Sequence, residues 1–310
     1  MAQITSEMVK TLRERTSAGM MDCKKALVES DGDMEKAVDW LREKGLSQAA
    51  KKAYRIAAEG VVADYCSDDH GVAVVLEVNC ETDFVAKTDN FKEFANKVAK
   101  HVAMANPADV DQLMTQSFVD EPSKTIADLL SEATVAIGEK LSLRRFARYE
   151  TTGVAETYIH LGGKIGVVVE VAVDAAHRGS DKVKEVAHDL CLQIAAAKPE
   201  CVRREEVDAS ALEKEKEILR AQALNEGKPA VIVDKMVEGR IQKYYKEVCL
   251  LEQPYVRDPD LSVQKLLDNV GAELGTKLDV VRYARFERGE GIEKRKDNFA
   301  EEIAAQMNRA

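Results

Sequence analysis

Histidine is scarce in this chain of 310 residues, with five imidazoles at 70, 101, 160, 177 and 188. So scattered a set is a poor start for metal catalysis. The six cysteines, at 23, 66, 80, 191, 201 and 249, form no C-x-x-C, and no Cys–His cluster has zinc-finger spacing. The expectation is six free thiols in a reducing compartment, packed as small hydrophobes, with no metal and no cofactor. Long apolar runs are also missing. A membrane helix needs about 20 such residues, whereas the stretch Ile165 to Val173 is short and contains Glu170. The opening MAQITSEMVK has no apolar signal region, so the expected location is cytoplasmic, with no membrane partner. Positive charge is not in excess: Lys+Arg 45 against Asp+Glu 55 gives a formal net charge of -10. That argues against broad binding to nucleic acid, which needs a positive field.

Catalytic motifs are absent too. There is no G-x-S-x-G, no H-E-x-x-H, and no G-x-G-x-x-G between a strand and a helix. His160-Leu161-Gly162-Gly163-Lys164 leads into a strand and lacks the rest of a phosphate loop, so it reads as a hairpin turn. Asp31-Gly32-Asp33 lacks the further ligands of a calcium loop and reads as a turn and helix cap. No nucleophile stands beside a base. Covalent catalysis is not expected, and no residue is nominated as catalytic.

What is present is periodic. The first 45 residues read as three short helices. Thr5 or Ser6 caps the first, which turns Met8, Val9 and Leu12 inward. The second shows Met20, Cys23, Ala26 and Leu27 on one stripe. Asp33 caps the third, which buries Met34, Ala37, Val38 and Leu41 and ends at Gly45. An Ala-rich, basic stretch with Lys51, Lys52 and Arg55 follows as a linker. Gly60 to Cys66 and Val72 to Val78 then form a β-hairpin. The helix after it carries Phe91, Phe94, Ala95, Val98, Ala99 and Val102 on one face, with Asp89 or Asn90 as its cap and Glu93 closing a capping box on Asn90.

The chain repeats itself. Val74-Val75-Leu76-Glu77-Val78 matches Val167-Val168-Val169-Glu170-Val171 at an offset of 93. Asp89, Lys92, Glu93, Ala95 and Pro107 match Asp181, Lys184, Glu185, Ala187 and Pro199 at 92. Gly138, Lys140, Leu141, Arg145, Ala147, Arg148 and Glu150 match Gly275, Lys277, Leu278, Arg282, Ala284, Arg285 and Glu287 at 137. Two tandem units are expected, each strand, strand, helix, helix, strand, and the fold class is α+β with antiparallel sheets. The rise in offset from 92 to 137 leaves 45 extra residues between Pro199 and Tyr255. They read as an antiparallel helical hairpin broken at Gly227-Lys228-Pro229. Leu212, Leu219 and Ala223 on one arm face Val233, Val237, Tyr244 and Val248 on the other. A last amphipathic helix carries Phe299, Ile303 and Met307.

The turn after the first repeated strand is Asn79-Cys80-Glu81-Thr82-Asp83-Phe84-Val85-Ala86-Lys87. Its counterpart, Ala172 to Ser180, has no aromatic. An aromatic in only one of two related turns suggests an outside contact; folding back of Phe84 beside Phe91 is the even-weighted alternative. For Met20 and Met21, a place in the core is the better reading from the residues alone.

These segments closely resemble the family of bacterial translation elongation factor Ts. The resemblance is carried by Leu12 to Thr16 and Gly19 to Leu27, by Glu77 to Ala86, by Tyr158 to His160 with Gly162 to Val167, by Lys235 to Arg240 and by Gly289 to Lys294. It covers essentially the whole chain. It implies a ubiquitin-associated-like three-helix module at 1–46, a linker at 47–56, core subdomains at 57–151 and 152–289, a coiled-coil insertion at about 209–252 and a helical module at 290–310. The function implied is guanine nucleotide exchange on the GTPase elongation factor Tu, in its GDP-bound and nucleotide-free states. The Thr82, Asp83, Phe84, Val85 turn would displace Mg²⁺ from the partner, and Arg13, Met20, Met21 and His160 would bind the partner itself. Lys164 stands where the family often has Arg. The rival expectation is an RNA- or ribosome-associated protein using Lys51, Lys52, Arg55, Arg144, Arg145 and Lys294-Arg295-Lys296. A weaker one is a hydrolase using Cys80 or His160.

Overall fold

The computed structural model describes residues 4–16, 18–52, 54–227 and 229–293. The expected C-terminal helix with Phe299, Ile303 and Met307, and the basic run 294–296, lie outside them.

The first three helices are α1 (Ser6–Thr16), α2 (Met20–Glu29) and α3 (Met34–Lys52). Thr5 Oγ1 accepts from the Met8 amide, and Asp33 Oδ1 accepts from Glu35 and Lys36, which satisfies the free amides of each first turn. Leu12, Cys23, Ala26, Leu27, Ala37 and Leu41 make a small core with Met8, Val9, Met34 and Val38 at its edge. Two expectations fail here. The third helix does not stop at Gly45 but runs through it, because one glycine costs a helix only about 1 kcal/mol and alanines follow. Met20 shares a stripe with Cys23 yet is 59% exposed and stays out of the small core.

The first repeat unit holds β1 (Glu59–Cys66), β2 (Val72–Cys80), the one-turn α4 (Asp83–Ala86), α5 (Asp89–Ala105), α6 (Val110–Thr115), β3 (Ser117–Phe118), β4 (Glu121–Thr125), α7 (Ile126–Ile137) and β5 (Ser142–Glu150). Thr88, not Asp89 or Asn90, caps α5 by accepting from the Phe91 amide. Glu93 lies two residues beyond the position that closes a box on Thr88 and pairs instead with Lys97. The second unit holds β6 (Val154–His160), β7 (Ile165–Ala172), α8 (Asp181–Ala197), α9 (Ala209–Asn225), α10 (Ala230–Val248), β8 (Pro254–Tyr255), β9 (Asp258–Ser262), α11 (Val263–Leu274) and β10 (Asp279–Glu287). The mixed helices and antiparallel sheets make the chain an α+β protein.

Each unit forms a three-stranded antiparallel sheet with its repeated strand in the middle: β1-β2-β5 and β10-β7-β6. Helices α5 and α7 cover the outer face of one sheet through Phe91, Val98, Ile126 and Leu76. Helices α8 and α11 cover the other through Val186, Ile194, Leu267 and Val169. The inner faces stack on each other through Val62, Ala73, Val75, Tyr149, Ala155 and Val168. The middle strands are therefore buried on both sides, which is why their sequence is a run of valines rather than an alternation. At Gly166 a Cβ would lie 2.3 Å from Val62 Cγ1, so only glycine lets the sheets meet there.

The inserted arms α9 and α10 pack through Leu212, Leu219 and Ala223 against Val233, Val237, Ile241 and Tyr245. Strict spacing of four from Val233 selects Ile241 and Tyr245, so Tyr244 and Val248 do not hold the inter-arm places expected of them. Arg220–Asp234 and Arg240–Glu226 pairs bridge the arms.

Candidate functional site

The site is built around β2. That strand ends at Cys80, whose thiol is fully buried and donates to Thr82 O at 3.2 Å. Burial pushes the thiol up to about 12, so Cys80 is no nucleophile at neutral pH, and the hydrolase expectation fails on it. Thr82 then caps α4 by accepting from the Val85 amide at 3.3 Å. The Glu139 carboxylate, from the loop before β5, grips this cap. It accepts from the Glu81 and Thr82 amides at 3.0 Å each and from Thr82 Oγ1 at 2.6 Å. In return Glu81 accepts from the Lys140 amide at 2.6 Å and from Arg55 at 3.2 Å. A four-residue helix has little stability of its own; here tertiary hydrogen bonds hold it.

The grip fixes which side chains turn inward. Ala86 is buried, and Val85 packs against the core of the first unit. Phe84 points out and is 79% exposed. Phe91 alone of the two enters the core, so Phe84 does not fold back beside it. Lys87 Nζ stands 5.9 Å from the Phe84 ring centre and pairs with Asp83 at 2.6 Å. That hydrogen bond holds the Asp83 carboxyl below its ordinary value. The result is an apolar side chain on a rigid mount, rimmed by an ion pair.

His160 ends β6, with its Nδ1 2.9 Å from Tyr158 Oη. The turn after it has positive φ at Leu161, Gly162 and Gly163, as a hairpin turn requires. Leu161 at its tip is exposed. Gly163 O accepts from Val62 N at 2.8 Å, and Gly60 pairs with Asn79. Both the Phe84 turn and the His160 turn therefore adjoin the first residues of β1. Arg13, Met20 and Met21 are exposed on the three-helix bundle, and Met21 is 74% exposed. The better sequence reading for the two methionines, burial, is thus overturned. The bundle itself rests on α7: Arg42 forks onto the Asp128 carboxylate, with Nε at 2.8 Å.

Three arginines expected at an RNA surface are occupied. Glu77, wholly buried, accepts from Arg144 at 2.9 Å and Arg145 at 2.6 Å, and also from Asn79 and the Gly289 amide. Arg55 is engaged by Glu81. Sequence reading noted the repeated Glu77 and Glu170, and the repeated Arg145 and Arg282, but not that they pair. The signal was there, since both pairs recur in both units: Glu170 accepts from Arg282 at 2.6 Å. Glu139, the residue that holds the candidate turn, was missed altogether.

Comparison with known proteins gives a consistent result. The family described as Elongation factor TS matches residues 81–290. The chain is 54% identical over 302 residues to Elongation factor Ts of Clostridium perfringens strain SM101, covering 97% of this chain and 98% of the relative. It is 51% identical over 306 residues to that of Clostridium novyi strain NT, covering 98% and 99%. It is 52% identical over 307 residues to that of Clostridioides difficile strain 630, covering 99% and 100%.

Proposed function

The chain belongs to the elongation factor Ts family, and from that premise we propose how it acts as the nucleotide exchange factor of elongation factor Tu in translation elongation. Phe84 enters between helices of the partner's GTPase domain, with Thr82, Asp83 and Val85 shaping the contact. The observation that carries this reading is a large apolar side chain left in solvent on a one-turn helix that Glu139 and Glu81 hold rigid. A wedge must not bend when pushed, and this one is braced from behind.

In the partner, Mg²⁺ neutralises charge between the nucleotide phosphates and the protein. Shifting the loops that hold metal and phosphate weakens GDP binding. By linkage, nucleotide weakens binding of the factor by the same factor, so GTP later expels it. Exchange is accelerated and the GDP:GTP equilibrium is untouched. No covalent step is needed.

Arg13, Met20 and Met21 form a second docking point on a ubiquitin-associated-like module at 1–46, joined by residues 47–56. A tethered second contact raises effective concentration. His160 borders the Phe84 turn and joins the same contact. The arms within 209–252 act as a coiled coil that reaches a third surface of the partner. The core subdomains span 57–151 and 152–289. The factor binds elongation factor Tu both with GDP and without nucleotide, in the cytoplasm, and makes no direct contact with nucleic acid. No helix among the described residues is long and apolar enough to cross a membrane.

The test is release of labelled GDP from elongation factor Tu. Phe84→Ala should slow stimulated release while its thermal unfolding matches the parent chain. Unfolding of the variant would place Phe84 in the core, and unchanged release would remove it from the mechanism.

A further inference from the structure

At the end of β1 remote from the Phe84 turn, side chains from both repeat units converge on one point. Cys66 closes β1, His70 stands in the turn before β2 with φ of 55°, and Glu156 lies on β6 of the second unit. His70 Nδ1 is 3.0 Å from Glu156 Oε2, 3.6 Å from Cys66 Sγ and 3.3 Å from the Ala155 carbonyl oxygen. Cys66 Sγ is 3.5 Å from that same carbonyl. The thiol, imidazole and carboxylate ligand atoms all lie within 4.8 Å of one another.

One ring nitrogen carries a single proton or a single lone pair. It serves the carboxylate at 3.0 Å best, and the carbonyl and the thiol sulfur crowd it at longer range. A cation at their centre resolves the arrangement. Tetrahedral zinc, with sulfur at about 2.3 Å and nitrogen or oxygen at about 2.0–2.1 Å, sets sulfur–nitrogen edges of about 3.5 Å and nitrogen–oxygen edges of about 3.3 Å. Four of the six edges, at 3.6, 3.5, 3.3 and 3.0 Å, lie near those lengths, and the sulfur and the carboxylate oxygen are within 4.8 Å of each other. The ligand set, one sulfur, one imidazole and oxygens, is the borderline-soft chemistry that selects zinc over magnesium or calcium.

The surroundings agree in charge. Asp64 and Asp69 stand near the thiol with Glu156, against Lys184 and against Arg178, which pairs with Asp69 at 2.7 Å. His188 Nδ1 lies 3.8 Å from the other Glu156 oxygen, beyond direct hydrogen-bond reach. Cys191 lies close by but turns its sulfur to the Glu156 carbonyl at 3.5 Å.

We propose that Cys66, His70 and Glu156 bind a zinc-class divalent ion, with the Ala155 carbonyl at the fourth position. The thiol proton passes to solvent as the sulfur–metal bond forms. The ion ties the Ser67–Gly71 turn of the first unit to β6 of the second, beside the Ala155 N to His70 O hydrogen bond of 2.8 Å. It clamps the stacked sheets at the end away from the partner. This role is independent of nucleotide exchange.

The full-length chain, stripped with a chelator and dialysed, is titrated with cobalt(II) alone and then with zinc(II) alone. The expected result is one cobalt per chain, with tetrahedral visible bands and a thiolate-to-metal charge-transfer band that zinc abolishes. Cys66→Ser should remove the charge-transfer band, and Glu156→Gln and His70→Ala should abolish tight binding. Zinc should raise the melting temperature of the parent and not of Cys66→Ser. Each stripped variant is first shown to melt cooperatively, and Cys66→Ala replaces any that does not. Absence of binding in the parent, octahedral cobalt spectra, or a charge-transfer band that survives Cys66→Ser would each overturn the proposal.

Discussion

Strands β2 and β7 hold the same place in the two repeat units, yet one leads into a braced, aromatic turn and the other into a plain one. In the first unit Glu139 accepts from the turn's amides. Its repeat counterpart is Thr276, which donates to Asp174 at 2.8 Å. The acid has changed sides: it lies on the distant loop in one unit and on the turn itself in the other. A carboxylate arriving from outside can collect two amides and a hydroxyl and so build a helix cap. A threonine arriving from outside makes one bond. The second turn accordingly forms only a short 3₁₀ segment, Ala175–His177, with no exposed aromatic. The lesson is that the repeat supplies the scaffold, and a single exchange of donor for acceptor decides which copy can carry a load.

The buried acids on the two middle strands differ in the same sense. Glu77 is held by two arginines, an asparagine and a backbone amide, whereas Glu170 has Arg282. Glu77→Ala strands Arg144 and Arg145 and should cost about 3–5 kcal/mol. Glu170→Ala should cost about 1.5–3 kcal/mol, the value of one charged hydrogen bond. Urea unfolding of both variants checks the ranking, and equal costs would break the comparison.

Phe84→Ala should weaken productive coupling to the partner by about 2–4 kcal/mol, as for a buried interface aromatic. Placing an aromatic in the other turn, by Ala176→Phe, should leave GDP release unchanged because nothing braces it. Stimulated release by Ala176→Phe in a Phe84→Ala background would show that the brace is dispensable.

Glu139→Ala should cost about 1–2 kcal/mol of stability through unsatisfied amides, and it should slow exchange because Phe84 is no longer held. Thr276→Ala should cost less and leave exchange alone. Hydrogen exchange at the Glu81 and Thr82 amides reports the loss of the brace directly.

Helices α7 and α11 extend the contrast to the bundle. At the third position of its helix α7 has Asp128, which completes a capping box with Thr125 and receives Arg42; α11 has Lys265 there. Burial raises the Asp128 carboxyl, but Arg42 and Thr125 outweigh it and hold the group below its ordinary value. A depressed folded value means the contribution is complete above the unfolded aspartate range and is lost as pH falls through the folded one. Asp128→Ala should cost about 1 kcal/mol in lost capping. Acid titration followed by chemical shifts of α3 should show the bundle loosening below the ordinary aspartate range, with that step gone in Asp128→Asn.

The smallest effect is expected from the insertion, which the first unit lacks. Replacing residues 209–246 with a short Gly/Ser linker should change the stability of the core by no more than about 0.5 kcal/mol. The cut must stop there, because Leu250 and Leu251 are core residues of the second unit and their amides bond to Cys201 and Val202. A calorimetric scan settles it, and loss of a cooperative transition would show that the arms support the core.

By itself the sequence determined the parts and their order. Hydrophobic periodicity marked the bundle, the repeated strands and the inserted arms, because apolar spacing is a local property of one helix or strand. The offsets marked the repeat and the insertion, because they compare the chain with itself. Tertiary structure alone decided which exposed residues are presented and which charges are spent. Phe84 and Phe91 are alike in type, and only the Glu139 grip, made across the fold, turns one outward. Arg144 and Arg145 are indistinguishable from a basic patch until Glu77 is found beneath them. Cys66, His70 and Glu156 have no telling spacing, since their ligand atoms meet across two repeat units. Side-chain pairing over such separations depends on how two sheets stack, and no periodicity within either sheet records it.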